Sequence, residues 1–306
     1  MILTTTSCRE DFVTSSDPNF QQSVNLNAEL SNDDIVQISL LKNIEIGADY
    51  AQAELDNALI TFSGSNIPNS NMNMVYDADR RRYVLENLNY RVEEGYDYAI
   101  EIVVDPNTAE EEIITANTYI PRAVRPSGFR AENITFSEDA DGDKIYRMTL
   151  YIQLNEPEEL PAFYHLSPYR FRSESRRNND GSMSIQDYDD IRYKLDVDEV
   201  IESENGIVAL IHKDGVFVDQ SKISNNEIKM IVETGRPLTP NEVLHKLDID
   251  VSTLSPDLYH YNIALDKEIR SVQANYTSPI DPYSNVQNGY GIFGGSSMIQ
   301  YAIEIQ

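Results

Sequence analysis

From Val24 onward the chain alternates apolar and polar positions, with Val24, Leu26, Ala28 and Leu30 separated by Asn25, Asn27 and Glu29. Successive side chains of a strand point to opposite faces, so this run predicts a strand with one wet face. Short β-branched or aromatic runs follow: Ile35 to Leu41, Ala58 to Phe62, Tyr83 to Leu88, Tyr96 to Val104 and Ile113 to Ile120. Turn-formers such as Gly64-Ser65-Asn66 and Glu94-Gly95 separate them. Strands at this spacing predict a β-sandwich of immunoglobulin-like or transthyretin-like character. The two prolines of the stretch Pro121 to Pro126 favour extended backbone, and a domain boundary is expected there.

The remainder reads as a larger β domain. Ile134 to Phe136 and Lys144 to Leu154 flank the acidic stretch Asp139 to Asp143, with Met148, Leu150, Ile152 and Leu154 on one face. That is a hairpin with an acidic tip. Asp214-Gly215 between Ile207 to Ile211 and Val216 to Val218 predicts a second hairpin. Residues 173–190 are polar, and Asn178 to Gly181 reads as an exposed loop. One amphipathic helix is expected: Ser255 can cap it, Pro256 suits its first turn, and Leu258, Tyr261, Leu265, Ile269 and Val272 recur at helical spacing. A glycine-rich turn then leads to a last strand with Ile299, Tyr301, Ile303 and Ile305 on one face. The expected fold class is therefore mainly β, in two sandwich-like domains. Residues 1–22 form a signal remnant, lipidation site and tether, residues 23–121 an N-terminal sandwich, and residues 122–306 a C-terminal β domain with one helix.

The single cysteine, Cys8, follows a stub of small and apolar residues, Met1 to Ser7. This looks like the end of a bacterial lipoprotein signal, with Cys8 the acylated residue. Two or three acyl chains anchor a protein stably where one chain is marginal. A full signal needs an apolar region of roughly 7–15 residues, so the signal reads as clipped by a late start. The alternative is an idle cysteine in a cytosolic protein. No apolar run approaches the roughly 20 residues of a spanning helix, so attachment to a membrane is expected through lipid on Cys8.

A formal net charge of −27 over 306 residues argues against nucleic acid, whose phosphates need a basic footprint. It also argues against docking on an anionic leaflet. The basic clusters Arg80-Arg81-Arg82 and Arg170, Arg172, Arg176, Arg177 lie among acids and read as solvated strand ends or loops. With one cysteine there is no internal disulfide framework, and the folds stand on packing.

Several motifs fail on their physics. Gly289 to Gly294 matches G-x-G-x-x-G, but a dinucleotide site needs that turn to open a helix, and here a strand follows. Glycines for a tight turn or close packing are the preferred reading. Asp139, Asp141 and Asp143 resemble the start of a calcium loop. An EF-hand register, however, would put Ser137 at the first ligand and Met148 at the bidentate twelfth position. An exposed acidic turn is thus preferred over a non-EF calcium site. The four histidines, His165, His212, His245 and His260, lack zinc spacing, and no nucleophile motif is present. Among 51 acids some carboxylate pair always lies close, so glycoside hydrolysis gains no specific support. Nineteen tyrosines and no tryptophan suit a recognition surface. Tyr259, Tyr261, Tyr276, Tyr283 and Tyr290 gather near the C-terminus, and Tyr259, Tyr261, Tyr283 and Tyr290 are the candidate ligand-binding residues. The competing reading makes them sandwich-rim and helix packing.

Leu258-Tyr259-His260-Tyr261, then Pro279 to Pro282, then Ser284 to Gly295 resemble the ending of a Bacteroidota lipoprotein family known as domain of unknown function 4249. Ala58-Leu59-Ile60, Gly95 to Tyr98 and Val216-Phe217-Val218-Asp219 are similar to its A-x-I, G-x-x-Y and vFxD segments. The resemblance implies an outer-membrane lipoprotein, encoded near TonB-dependent receptors of the SusC-like type, with no established catalytic residue. Arg9-Glu10-Asp11 after Cys8 looks like a signal for surface exposure. The expectation is a non-enzymatic accessory or substrate-binding component of a TonB-dependent nutrient transporter, without a cofactor and with an unknown ligand. The alternatives are a surface adhesion or scaffolding protein and, after it, a surface hydrolase.

Overall fold

The computed structural model describes residues 23–43, 53–67, 71–109, 111–156, 162–201, 207–209, 215–223, 226–273 and 283–305. Seven strands come first: β1 (Val24–Ser31), β2 (Gln37–Lys42), β3 (Leu59–Gly64), β4 (Met72–Asp77), β5 (Arg82–Leu85), β6 (Tyr96–Val104) and β7 (Glu112–Ile120). Their alternation is the one read from the sequence. Val24, Leu26, Ala28 and Leu30 are buried, while the residues between them are half-buried or exposed. Burying one such apolar side chain contributes about 1.5–3 kcal/mol, which fixes the register, since a slip by one residue would turn every one of them to water.

Residues 121–125 carry no regular structure, and a second series follows. It comprises β8 (Pro126–Glu138), β9 (Lys144–Leu154), β10 (Phe163–Arg177), β11 (Met183–Ile201), β12 (Ile207–Ala209), β13 (Val216–Asp219), β14 (Glu227–Thr234) and β15 (Lys246–Leu254). The helix α1 (Pro256–Gln273) comes next, then β16 (Val286–Gln287) and β17 (Tyr290–Glu304). Hydrogen-bonded neighbours run β7–β6–β3–β4–β5–β2–β1–β17–β15–β10–β11–β14–β9–β8. The fold is mainly β. Among the described residues, β1 and β17 form the one parallel pair, with Asn25 opposite Tyr290 and Leu30 opposite Gly295.

The first core gathers side chains of β1 to β7 and also Val286 and Phe293 from the end of the chain. The second is built from β8 to β15, with Met148, Leu150, Ile152, Met230, Val232, Leu247 and Ile249 among its buried members. Ile299, Tyr301, Ile303 and Ile305 pack against it from one face of β17, as their spacing predicted. A third, smaller cluster lies beneath α1 and contains Phe163, Phe217, Leu254, Leu258, Tyr259 and Ile292.

Asn178 to Gly181 lie in the exposed turn expected of them, and the polar residues on either side are the paired ends of β10 and β11; two other local expectations are corrected. Polar side chains stabilise that ladder: Glu174 accepts from Arg172 on its own strand at 2.6 Å and, across the strands, from the Tyr188 hydroxyl at 3.0 Å. Arg170, grouped with the solvated arginines, is only 1% exposed, because it lies on the core-facing side of β10 with its guanidinium 4.5 Å over the ring of Tyr193. The helix keeps its place but turns its face. Leu258, Tyr259, Asn262 and Asp266 are buried, whereas Tyr261, Leu265 and Ile269 are half-buried. Polar members of the buried side are satisfied locally, Asn262 donating to the Leu258 carbonyl at 2.7 Å and Asp266 pairing with Arg270 at 2.6 Å.

Candidate functional site

A groove of about 730 Å³ lies over the outer face of β1 and β2. That volume lies in the range of small-ligand sites, roughly 300–1,000 Å³. Strand alternation makes it polar: with Leu26, Ala28 and Leu30 turned inward, Asn27, Glu29 and Ser31 turn out, joined by Gln37 and Ser39 of β2. Ser252, Ser296 and Met298, brought alongside by the β1–β17 and β17–β15 pairings, complete the far wall.

Its charges are segregated. Asp33 and Asp34 of the β1–β2 turn and Glu29 lie toward one end. Arg80 and Arg81 of the β4–β5 turn and Arg82 at the start of β5 lie toward the other with Glu54. Glu54 forms an ion pair with Arg81, and Arg80 pairs with Asp77. The backbone N–H and guanidinium of Arg80 hold the Asp77 carboxyl below its ordinary range. Arg82 has no ion-pair partner among the described residues and is exposed.

None of the four candidate tyrosines lines this groove. Tyr259 is buried under α1, its ring stacked at 4.3 Å on Phe163, and burial pushes its hydroxyl up to about 12. Tyr283 reaches the same cluster through His260, 5.9 Å away between ring centres, and its hydroxyl donates to Asp257. Burial and that carboxylate raise the Tyr283 hydroxyl. Tyr261 packs at the edge of the cluster, and Tyr290, 53% exposed at the start of β17, takes no part in it. Cys8 and Tyr276 lie outside the described residues.

The acidic turn uses its carboxylate internally. Asp139 Oδ1 accepts from the backbone N–H groups of Asp141 at 2.9 Å and Asp143 at 3.0 Å, closing the β8–β9 hairpin. Among the described residues no group of three or more His, Cys, Asp or Glu side chains is arranged to hold a metal.

Two side-chain constellations escaped sequence reasoning, since their members are far apart in the chain. Ser173, Asp187 and His245 are linked, with Asp187 Oδ1 accepting from Ser173 Oγ at 2.6 Å and 3.0 Å from His245 Nδ1. The order is wrong for nucleophilic catalysis, which needs the imidazole between hydroxyl and carboxylate. Burial tends to raise Asp187, but the bonds from Ser173 and His245 outweigh it and hold the carboxyl low. Arg192 bridges Asp248 at 2.7 Å and Asp250 at 2.6 Å and lies 4.0 Å over the Tyr169 ring. Burial still raises the Asp248 carboxyl despite Arg192.

Several described residues that carry the sequence resemblance make packing and hydrogen-bond contacts. The Ala58 N–H donates to the Tyr83 hydroxyl at 2.9 Å, and Tyr98 stacks on Phe62 at 5.5 Å. Asp219 caps a 3-10 turn by accepting from Ser221 N–H at 3.1 Å and pairs with Lys222 at 2.7 Å. Asn285 clasps Phe293, donating to its carbonyl at 2.9 Å and accepting from its N–H at 3.0 Å. The glycines that mimic a nucleotide motif serve close packing: a Cβ on Gly291 would overlap the Leu26 carbonyl oxygen, and one on Gly294 would come 2.8 Å from Leu258 Cβ.

No curated protein matches the chain. Among solved structures, the collagen binding domain of Erysipelothrix rhusiopathiae surface protein RspB aligns at 8% identity over 91% of this chain and 96% of its own, with a TM-score of 0.16. A partial N-terminal region of an enterococcal surface protein aligns at 10% identity over 94% and 97%, with a TM-score of 0.14. The family model described as Domain of unknown function (DUF4249) matches residues 9–301, nearly the whole length, and the chain belongs to that family.

Proposed function

We propose that this chain is a non-enzymatic binding protein held at the outer membrane by lipid on Cys8, presenting its groove to a small polar ligand beside a TonB-dependent receptor. The observation that carries the reading is the groove, a concavity of about 730 Å³ lined by hydroxyl, amide and charged side chains on a rigid sheet. Sites on strands hold their geometry better than sites on loops, and most of this lining comes from β1, β2, β15 and β17. The net charge of −27 keeps such a body off an anionic surface, leaving attachment to acyl chains.

The test is a ligand-observed NMR screen of polar solutes, comprising short peptides, oligosaccharides and nucleosides, against the full chain and against Ser39→Trp, which fills the groove. At least one solute is expected to bind the first and not the second. A screen in which no solute distinguishes the two proteins would contradict the groove's role. The receptor is tested separately: a TonB-dependent barrel should be recovered with the protein from detergent-solubilised native membranes, and recovery without one contradicts that partner.

A further inference from the structure

The groove's two ends differ in charge by construction. The β1–β2 turn supplies Asp33 and Asp34, with Glu29 on β1 close behind. The pairing of Gln37 with Val84 and of Ile38 with Tyr83 sets Arg82 beside Ser39, with Arg81 and Arg80 beyond it toward Leu41, which bridges to Glu54. Continuing the β1–β2 register sets Glu29 beside Gln37, so Glu29 and Arg82 stand two residues apart along the strands and two strands apart across the sheet, a diagonal of about 12 Å at roughly 3.3 Å per residue and about 4.8 Å per strand. Between them the lining is neutral and hydrogen-bonding, with Gln37 and Ser39 on β2 and Asn27 opposite Ser39, whereas Ser296 lies opposite Ser31 at the acidic end.

The arginine end retains a net positive site. Arg81 is neutralised by Glu54 and Arg80 by Asp77, whereas Arg82 has no carboxylate partner among the described residues. A guanidinium in that position suits a carboxylate, which it can bind through two parallel hydrogen bonds. The acidic end suits an ammonium group. Among the described residues no aromatic side chain lines the groove, so they offer a sugar no stacking platform.

Resting on the reading of the groove as the binding site, we propose that its ligand is a short peptide with free termini, bound extended. The ammonium end lies at Glu29, Asp33 and Asp34, the carboxylate end at Arg82, and the peptide groups between them meet Gln37 and Ser39. An extended tetrapeptide spans about 13 Å at the same rise per residue, close to the diagonal from Glu29 to Arg82.

The test is calorimetric titration of the full chain with tetra-alanine, its N-acetyl form, its C-terminal amide and dialanine. Tetra-alanine is expected to bind, and each terminal block to weaken it by roughly tenfold, the loss of one charge-assisted contact. Dialanine, too short to reach both ends, should bind at least tenfold more weakly than tetra-alanine. Arg82→Gln should weaken tetra-alanine by about the same factor while leaving the amide unchanged, and Arg82→Lys should recover part of the loss. Arg82 is exposed, so each variant is expected to fold, as a thermal melt verifies. Equal binding of free and blocked peptides, or binding by none of them, overturns the inference. If uncharged solutes alone bind and are lost in Ser39→Trp, the peptide assignment falls while the groove remains a binding site.

Discussion

Ser255 and Gly295 hold each other by two hydrogen bonds: the Ser255 N–H donates to the Gly295 carbonyl at 2.7 Å, and the Gly295 N–H donates to Ser255 Oγ at 3.0 Å. The same Oγ accepts from the Leu258 N–H at 3.3 Å, so one buried hydroxyl both caps α1 and fastens it to β17. Ser255→Ala removes the cap and leaves the Gly295 N–H unpaired. A loss of about 1–2 kcal/mol is expected in urea denaturation. No change in midpoint would show that the latch is not formed.

Close packing of β17 gives a sharper contrast. Gly291 has a φ of +106° and no room for a Cβ beside the Leu26 carbonyl, and a Cβ on Gly295 would overlap the Tyr119 carbonyl. Gly291→Ala and Gly295→Ala should each cost about 3 kcal/mol, combining overpacking with, at Gly291, a left-handed backbone. Gly128 lies in β8 without a positive φ, and its nearest neighbour to a new Cβ is Gln153 Cβ at 3.6 Å. Gly128→Ala is therefore expected to be neutral or stabilising by about 0.5 kcal/mol. The three denaturation midpoints, measured together, check the assignment of the glycines to packing.

Stability should fall at both extremes of pH, for opposite reasons. Asp187 and Asp219 titrate below their unfolded values, Asp187 through Ser173 and His245, Asp219 through Lys222 and Ser221, in each case against burial. Their contribution is present above the unfolded value and is lost as pH falls through the folded one. Burial raises Tyr83 from 10.0 to about 12, so its contribution is present below pH 10 and is lost as pH rises toward 12. Asp187→Asn should flatten the acid limb and Tyr83→Phe the alkaline limb of a plot of melting temperature against pH. Limbs unaltered by these substitutions would contradict the assignment.

Among the described residues Arg170 is the largest fully buried side chain, and its Nε and Nη1 have no hydrogen-bond partner there, while Nη2 donates to the Arg236 carbonyl at 3.3 Å. Burial lowers its pKa, opposed by the charge of Glu242. Glu242 is held independently by the N–H and hydroxyl of Thr239 at 3.0 and 3.1 Å. Arg170→Met should thus be neutral or stabilising by about 1 kcal/mol, whereas Glu242→Gln, which leaves the guanidinium uncompensated, should cost about 3 kcal/mol. Chemical denaturation of the two variants reads the difference in sign.

Period-two alternation made β1, β6, β7 and β9 legible, because one face of each meets a core and the other does not. The Ser255-Pro256 start of α1 was legible for the same local reason, a cap followed by a residue that needs no N–H. The buried face of α1 was not, since the close approach of Gly294 selects Leu258 and Tyr259 over Leu265 and Ile269. Polar β10 and β11 ends escaped notice because their pairing depends on cross-strand partners such as Glu174 and Tyr188, which leave no periodic apolar signal. The groove had no local signature at all: Glu29, Asp34, Arg82, Ser252 and Met298 meet only through the parallel β1–β17 pairing and the β2–β5 register.

The central claim, a binding protein carried at the envelope by acyl chains, is tested most directly by mass spectrometry of the intact protein taken from native membranes. The account predicts a mature N-terminus at Cys8 bearing two or three fatty acyl chains. A membrane-free protein with an unmodified Cys8 thiol would contradict it.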